Sequence, residues 1–131
     1  MDHTIVIKEN YLFRRLYNRG KYQAHPLLVT YALKNRLPYN RYGITASKKI
    51  GGAVERNRVK RIIRAGLSEA RAYGELKTGY LVVIAAKVGA HEASSKDIAT
   101  ELICAFEKLK MYKTAKPTEN TEKTQTEAQT K

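Results

Sequence analysis

The chain has 131 residues, of which 43% are hydrophobic, and this is enough for one domain with a core and too much for wholesale disorder. Its longest apolar run, residues 81–86, is far shorter than the ~20 residues that a membrane-spanning helix needs. The first ten residues have no secretory signal pattern and Cys104 is the single cysteine, so we expect a cytoplasmic protein without an internal disulfide.

Basic residues dominate the charge of the chain. Lysine and arginine number 25 against 12 aspartates and glutamates, which gives a formal net charge of +13. Such an excess favours a polyanionic partner, because each neutralised phosphate releases condensed counterions. The alternatives at this point are an anionic membrane surface and a solvated cationic surface that serves solubility alone. The placement of the charges must decide between them.

The amino-terminal half predicts one helix and two strands. In residues 9–19, leucines and aromatic residues recur at four-residue spacing, and Gly20 follows, as is common just past a helix end. Residues 27–33 (LLVTYAL) are rich in strand-forming residues and are bounded by Pro26 and Asn35. Residues 41–47 (RYGITAS) predict the second strand.

The carboxy-terminal half predicts the longest helix, residues 53–72, from the spacing of its apolar residues. Tyr80–Ala86 is nearly all apolar and predicts a strand that is buried on both faces. A last helix begins at Ser94 or Ser95, because Ser94 and Asp97 have the spacing of a capping box. The prediction is an α+β fold in the order α-β-β-α-β-α, with one domain over residues 1–112 and a disordered polar tail over 113–131.

Charge is concentrated around the long helix. Residues 41–71 contain nine basic side chains against Glu55 and Glu69, a net +7. At about 100° per residue, Arg56, Lys60 and Arg64 advance by only about 40° per step and share one sector. Asn57 and Arg61 extend that sector, while Arg58 lies on the other flank of the apolar stripe. Like charges at this spacing weaken an isolated helix, so the row indicates a phosphate-binding surface.

The segment before this helix, residues 47–52 (SKKIGG), places Lys48 and Lys49 next to two glycines. Glycines allow a polyanion to approach the backbone, and the N–H groups at a helix N-terminus favour phosphate. Glycines more often only form turns. The segment therefore supports the interpretation of the long helix as a phosphate-binding surface but would not be sufficient evidence by itself.

Nine tyrosines and no tryptophan form an unusual aromatic set. Aromatic side chains stack on unpaired bases in proteins that bind single strands. Periodicity favours a core position for Phe13 and leaves Tyr17 and Tyr31 open between core and base contact. The three histidines lack metal-ligand spacing, and Cys104, within an amphipathic helix, is predicted to be a small buried hydrophobic residue.

Residues 47–64 (SKKIGGAVERNRVKRIIR) closely resemble the signature of the bacterial ribonuclease P protein subunit, whose centre is the Arg-Asn-Arg motif, here Arg56-Asn57-Arg58. The resemblance covers roughly residues 8–112. It departs from the family in an amino-terminal arm that is poorer in Lys and Arg than usual. It also departs at Gly52, where the family often has Asn or Lys.

The resemblance implies a protein without catalytic side chains of its own. In this family a large catalytic RNA removes the 5′ leader of precursor tRNA with Mg²⁺ that the RNA binds, and protein ligands alone hold no metal. The helix would contact the catalytic RNA through Lys48, Arg56, Asn57, Arg58, Lys60, Arg61 and Arg64. A groove between the sheet and the first helix would bind the single-stranded leader through Phe13, Tyr17, Tyr31, Thr45 and Lys49. The family fold also has a left-handed β-α-β crossover, whereas most crossovers are right-handed.

Three other interpretations remain to be compared with this one. A ribosomal or other structural RNA-binding protein would explain the charge without the Arg-Asn-Arg segment. A metal-dependent nuclease that acts alone would cleave precursor tRNA without added RNA, but carboxylates are sparse around the basic region. A membrane-surface protein would need a helix with aromatic residues opposite its lysines, which the chain lacks. The expected partners are therefore the catalytic RNA and the precursor leader, with no membrane and no obligatory protein partner.

Overall fold

A computed structural model describes residues 5–6 and 10–113, which form five strands, three α-helices and one short 3₁₀ helix. No helix within these residues is long and apolar enough to cross a membrane. In chain order the elements are β1 (Ile5–Val6), α1 (Asn10–Arg19), β2 (Lys21–Ala24), β3 (Leu28–Lys34), β4 (Arg41–Ala46), α2 (Ala53–Tyr73), β5 (Tyr80–Ala86), the 3₁₀ helix η1 (Val88–Glu92) and α3 (Ser95–Lys108).

The strands form one mixed sheet in the order β1-β4-β5-β3-β2. β4 and β5 are parallel neighbours joined through α2, so β4-α2-β5 is a β-α-β unit. The left-handed sense of this crossover stays a prediction from the family resemblance. β3 is antiparallel to both β5 and β2. The α+β class is confirmed, and so is the order of the three helices and the three longer strands.

β5 is covered on both faces, as its apolar sequence predicts. Successive side chains of a strand point to opposite faces. Val82 and Ile84 belong to the core beneath α2 and α3. Leu81 and Val83 belong to a second cluster with Leu12 and Leu16 of α1, and all of these residues are buried. The sheet therefore separates α1 from the α2–α3 pair.

α2 is held against the core by one apolar stripe. Val59, Ile63, Leu67 and Ala70 are buried, and Ile62 packs at the margin. At Gly66 an added Cβ would lie 2.6 Å from Cγ2 of Ile98, so the absence of a side chain permits the close contact between α2 and α3. The residues between these positions are left to face solvent.

The predicted capping box of α3 is confirmed. The backbone N–H of Asp97 donates to Oγ of Ser94 at 3.2 Å, and the N–H of Ser94 donates to a carboxylate oxygen of Asp97 at 3.1 Å. Cys104 in the same helix is only half-buried, so the prediction of a buried residue was wrong. It lies at the edge of the α3 stripe, next to buried Ala105 and Phe106.

Two short strands were not predicted. β2 has the sequence KYQA, which lacks an apolar alternation, and three of its four residues are exposed at the sheet edge. Its conformation depends on pairing with β3, in the register Lys21 to Ala32 and Tyr22 to Tyr31. β1 has two residues and pairs in parallel with the start of β4. Neither strand is long enough to show an alternation of apolar and polar residues from which it could be predicted.

Lys113, the first residue of the predicted tail, contacts the segment that follows α2. The backbone N–H of Lys113 donates to the carbonyl of Glu75 at 2.7 Å, and its Nζ lies 2.9 Å from a Glu75 carboxylate oxygen. Tyr112 pairs with Leu76 in an isolated bridge. The predictions for residues 114–131 lie outside the described residues.

Candidate nucleic-acid interface

The cationic face of α2 is open to solvent. Asn57, Arg58, Arg61 and Arg64 are exposed, and Arg56 and Lys60 are half-buried beside the apolar stripe. Within the part of the chain that the structure describes, none of these cations pairs with a carboxylate. The single helix therefore presents a row of positive charge to solvent.

Both arginines of the Arg-Asn-Arg motif donate hydrogen bonds to backbone carbonyl groups. Arg56 donates from Nη1 to the Gly51 carbonyl at 2.9 Å, and Arg58 donates from Nη1 to the His91 carbonyl at 2.9 Å. The first bond ties α2 to the segment before it and the second ties α2 to η1. A guanidinium has five N–H donors, so each side chain keeps donors for a further acceptor.

The segment before α2 is a compact turn with exposed lysines. The N–H of Ile50 donates to the Ser47 carbonyl at 3.1 Å, and Ile50 itself is buried. Gly51 has a φ of +151°, a conformation that favours glycine, and no side chain caps α2 at Gly52. Lys48 and Lys49 are exposed, so they stand beside a helix N-terminus that bears a partial positive charge.

A second group of side chains lies on the α1 face of the sheet. The Tyr17 and Tyr31 ring centroids are 4.8 Å apart with the planes at 73°, and the Tyr22 and Tyr31 rings are 5.8 Å apart at 37°. Tyr17 is 44% exposed and Tyr22 is 60% exposed. Burial raises the pKa of Tyr31, and Tyr17 and Tyr22 raise it further. The three rings make an aromatic surface that is partly covered at its centre and open at both sides.

Sequence reasoning missed Tyr22 in this group. It pairs with Tyr31 across the β2–β3 ladder, and β2 itself was not predicted. The available signal was the short connection from Gly20 through residues 21–26 to β3, which is compatible with a hairpin.

The remaining predicted groove residues are distributed around the tyrosines. Phe13 packs at the margin of the cluster formed by Leu12 and Leu16, with Tyr31 beside it. Thr45 pairs with Ala85, two residues along β5 from Val83, the partner of Tyr31. Thr45 and Tyr31 therefore share a sheet face and lie two strands and two residues apart, a separation of about 12 Å. Lys49 is exposed in the turn after β4.

No cluster of three or more potential metal ligands from His, Cys, Asp and Glu occurs within residues 5–6 and 10–113. His25 lies in the connection between β2 and β3, and His91 lies in η1.

The geometry consists of a cationic helix on one face of the sheet and an aromatic surface on the other. A family model for ribonuclease P matches residues 1–110. The chain belongs to the ribonuclease P protein family. As a ribonuclease P protein component, it is part of an endoribonuclease that processes tRNA 5′ ends, and membership implies association with the ribonuclease P RNA.

Relatives match over most of their length. The ribonuclease P protein component of Alkaliphilus metalliredigens is 37% identical over 113 residues, which cover 85% of this chain and 98% of the relative. That of Clostridium botulinum strain Langeland is 41% identical over 110 residues, which cover 81% and 95%. A solved structure of the Staphylococcus aureus RNase P protein, 28% identical, matches with a TM-score of 0.72, and the match covers 85% of this chain and 100% of that one. The fold and the family therefore agree.

Proposed function

We propose that this ribonuclease P protein binds the catalytic RNA through α2 and the 5′ leader of precursor tRNA through the aromatic groove. The observation that carries the proposal is the cationic face of α2, which has no carboxylate partner among the described residues. The proposal assigns contact with the catalytic RNA to Lys48, Arg56, Asn57, Arg58, Lys60, Arg61 and Arg64.

The structure of α2 suits phosphate binding in two ways. Its buried stripe fixes the helix on the sheet, so the cations are positioned before RNA arrives and lose less freedom on binding. Arginine side chains can present two parallel N–H groups to a phosphate, which gives the contact direction as well as charge. The bonds from Arg56 and Arg58 to carbonyl groups further limit the positions that these two side chains adopt.

The groove on the α1 face suits a strand of variable sequence. Base stacking on an aromatic ring contributes about 1–3 kcal/mol per base and tolerates every base. The exposed rings of Tyr17 and Tyr22, with Tyr31 packed between them, supply the stacking surface, and Tyr22 joins the residues inferred from the family. The leader contacts are assigned to Phe13, Tyr17, Tyr22, Tyr31, Thr45 and Lys49.

The catalytic centre is assigned to the RNA subunit, which would bind the Mg²⁺ that the reaction uses. This chain's residues then bind and orient the two RNAs and carry out no proton transfer. We further propose that the protein acts in the cytoplasm without an obligatory protein partner.

Reconstitution with the cognate catalytic RNA tests the proposal. At low Mg²⁺, where the RNA alone is expected to be weakly active, the protein should restore removal of the leader from precursor tRNA. A parallel reaction with protein and Mg²⁺ but no catalytic RNA should leave the precursor intact. Cleavage in that second reaction would establish the protein as a nuclease in its own right, and no stimulation in the first would refute the proposed role.

A further inference from the structure

α1 has a cationic flank that the proposed function does not use. Leu12 and Leu16 point into the core, and Phe13 and Tyr17 lie on one side of them. At about 100° per residue, Arg15 and Arg19 lie on the other side, only about 40° apart. The described helix contains no acidic residue. Its amphipathic pattern therefore has an aromatic flank and a cationic flank on either side of the buried stripe.

The cationic flank faces a cavity of about 440 Å³ between α1 and the connection from β3 to β4. Arg15 and Arg19 line the α1 wall, and Lys34 and Arg36 line the opposite wall. No described carboxylate lines the cavity. Basic residues from two elements that are distant in sequence thus line one cavity, which is open to solvent.

A smaller cavity of about 240 Å³ adjoins the first and shares Arg19, Leu33 and Lys34 with it. Lys21 adds a further cation on its wall. The two cavities together form a groove that continues around the end of β2. Arg15 and Arg19 are about 6 Å apart along the helix axis, so each guanidinium can reach a different phosphate of one strand.

The groove is separate from both surfaces assigned above. α2 lies on the other face of the sheet from α1. The aromatic rings lie on the opposite flank of α1 from Arg15 and Arg19. At the mouth of the groove Tyr11 is 59% exposed. An exposed ring beside arginines matches the stacking and phosphate contacts of single-stranded RNA better than the headgroups of a membrane surface, since a membrane would need a row of apolar side chains.

We propose that this groove, lined by Arg15, Arg19, Lys34 and Arg36, is a third RNA-binding site that takes the phosphodiester backbone of a single strand. The strand belongs to the catalytic RNA or to the precursor tRNA, and the chemistry of contact is the same for both. The inference rests on the proposed function only for the identity of these two RNAs.

The test replaces Arg15 and Arg19 together with glutamine and uses the full chain. One titration measures binding of the protein to the catalytic RNA, and a second measures binding of the reconstituted complex to precursor tRNA, each across a range of salt. Loss of two contacts should lower the slope of log K against log salt by about 1.4 and weaken binding roughly ten-fold at 0.15 M salt. Weakening in the first titration assigns the strand to the catalytic RNA, and weakening in the second assigns it to the precursor.

Arg14→Gln is the matched control. Arg14 is exposed on the face of α1 opposite the leucines and does not line the groove, so its loss should change the slope little. A second variant, Arg15→Lys with Arg19→Lys, keeps both charges and should recover most of the affinity. Melting temperatures of all variants should match the wild type, because the replaced side chains are exposed.

Unchanged slopes in both titrations would overturn the site, and so would an equal loss per charge in Arg14→Gln. The proposed function fails by a different result, since it requires that variants on α2 weaken binding of the catalytic RNA. A groove variant with wild-type binding beside a defective α2 variant would reject only the third site.

Discussion

The cationic face of α2 and the aromatic groove on α1 are built in different ways. All the cations of the first come from one helix, and Val59 and Ile63 on its buried side fix their direction. The rings of the second come from α1, β2 and β3, and they meet only because Tyr22 and Tyr31 pair across a ladder beneath α1. Substitutions of the α2 cations should therefore weaken RNA binding additively. The effect of substituting one groove ring should instead depend on whether the neighbouring rings are present.

The largest expected effect is on α2. Replacing Arg56, Lys60 and Arg64 together with alanine should weaken binding to the catalytic RNA by roughly 100-fold at 0.15 M salt and lower the salt slope by about 2.7, because three phosphate contacts are lost. A salt titration of the purified variant measures both values. Each of the three single variants should lower the salt slope by about one third of this amount.

The control for this variant removes charge elsewhere. Lys96 and Lys108 are exposed on α3 and lie outside the proposed contacts, so replacing both with glutamine should change the slope far less per charge. An equal change per charge in the two variants would mean that net charge alone drives binding, and the comparison between the regions would lose its basis.

The next effect concerns the groove. Tyr31→Ala should weaken binding of precursor tRNA by about 5- to 150-fold, the equivalent of the 1–3 kcal/mol that stacking on one base contributes. Binding of mature tRNA, which has no leader, should change little. Affinities of the reconstituted complex for both RNAs provide the measurement.

Tyr31→Phe keeps the ring and serves as the control, with near wild-type affinity for the precursor. If Tyr31→Ala reduced precursor and mature tRNA binding equally, the groove would not be the leader site. Tyr17→Ala tests whether the rings depend on one another. It should weaken binding of precursor tRNA less in the Tyr31→Ala variant than in the wild type, because the two rings are in contact.

The smallest expected effect is on the stability of the fold at alkaline pH. It should differ between Tyr31, on the α1 face of the sheet, and Tyr112, on the α2–α3 face. Burial raises the pKa of Tyr31 and of Tyr112 above the usual value near 10. A tyrosine that ionises more easily in the unfolded chain contributes stability that is full below about pH 10 and is lost as the pH rises further. The Tyr112 hydroxyl also donates to the Ala70 carbonyl at 2.6 Å, a bond that ionisation would break.

We therefore expect the stability advantage of wild type over Tyr112→Phe to shrink as the pH rises from about 10 to about 12 in denaturant unfolding. Tyr31→Phe should change the same pH dependence less, because no hydrogen bond of the Tyr31 hydroxyl is present among the described residues. The opposite order of the two variants would contradict this difference between the faces.

The regular spacing of apolar and capping residues explains which elements could be predicted from the sequence. The stripe from Val59 to Ala70 repeats at three and four residues, so it predicted the buried side of α2 and, by exclusion, the direction of its cations. Tyr80–Ala86 is apolar throughout, so its burial on both faces followed. Ser94 and Asp97 predicted the start of α3 from their spacing alone.

The groove residues show where prediction from the residues ended. Periodicity favoured the core for Phe13, and it does pack at the margin of a buried cluster. For Tyr31 the chain gave no preference, because its environment depends on Tyr17 and Tyr22 from other elements. The bonds from Arg56 to Gly51 and from Arg58 to His91 were also not predictable, since each depends on how a flexible side chain meets a turn or a neighbouring helix.

By itself the amino-acid sequence determined the elements with a period or a cap, the side of α2 that carries charge, and the family resemblance of residues 47–64. The tertiary structure alone decided the register of β2 on β3, the contact of three tyrosines, and the groove between Arg15, Arg19, Lys34 and Arg36. The physical reason is distance along the chain. A helical face depends on neighbours three and four residues away, whereas a groove depends on packing between elements that the local pattern does not position.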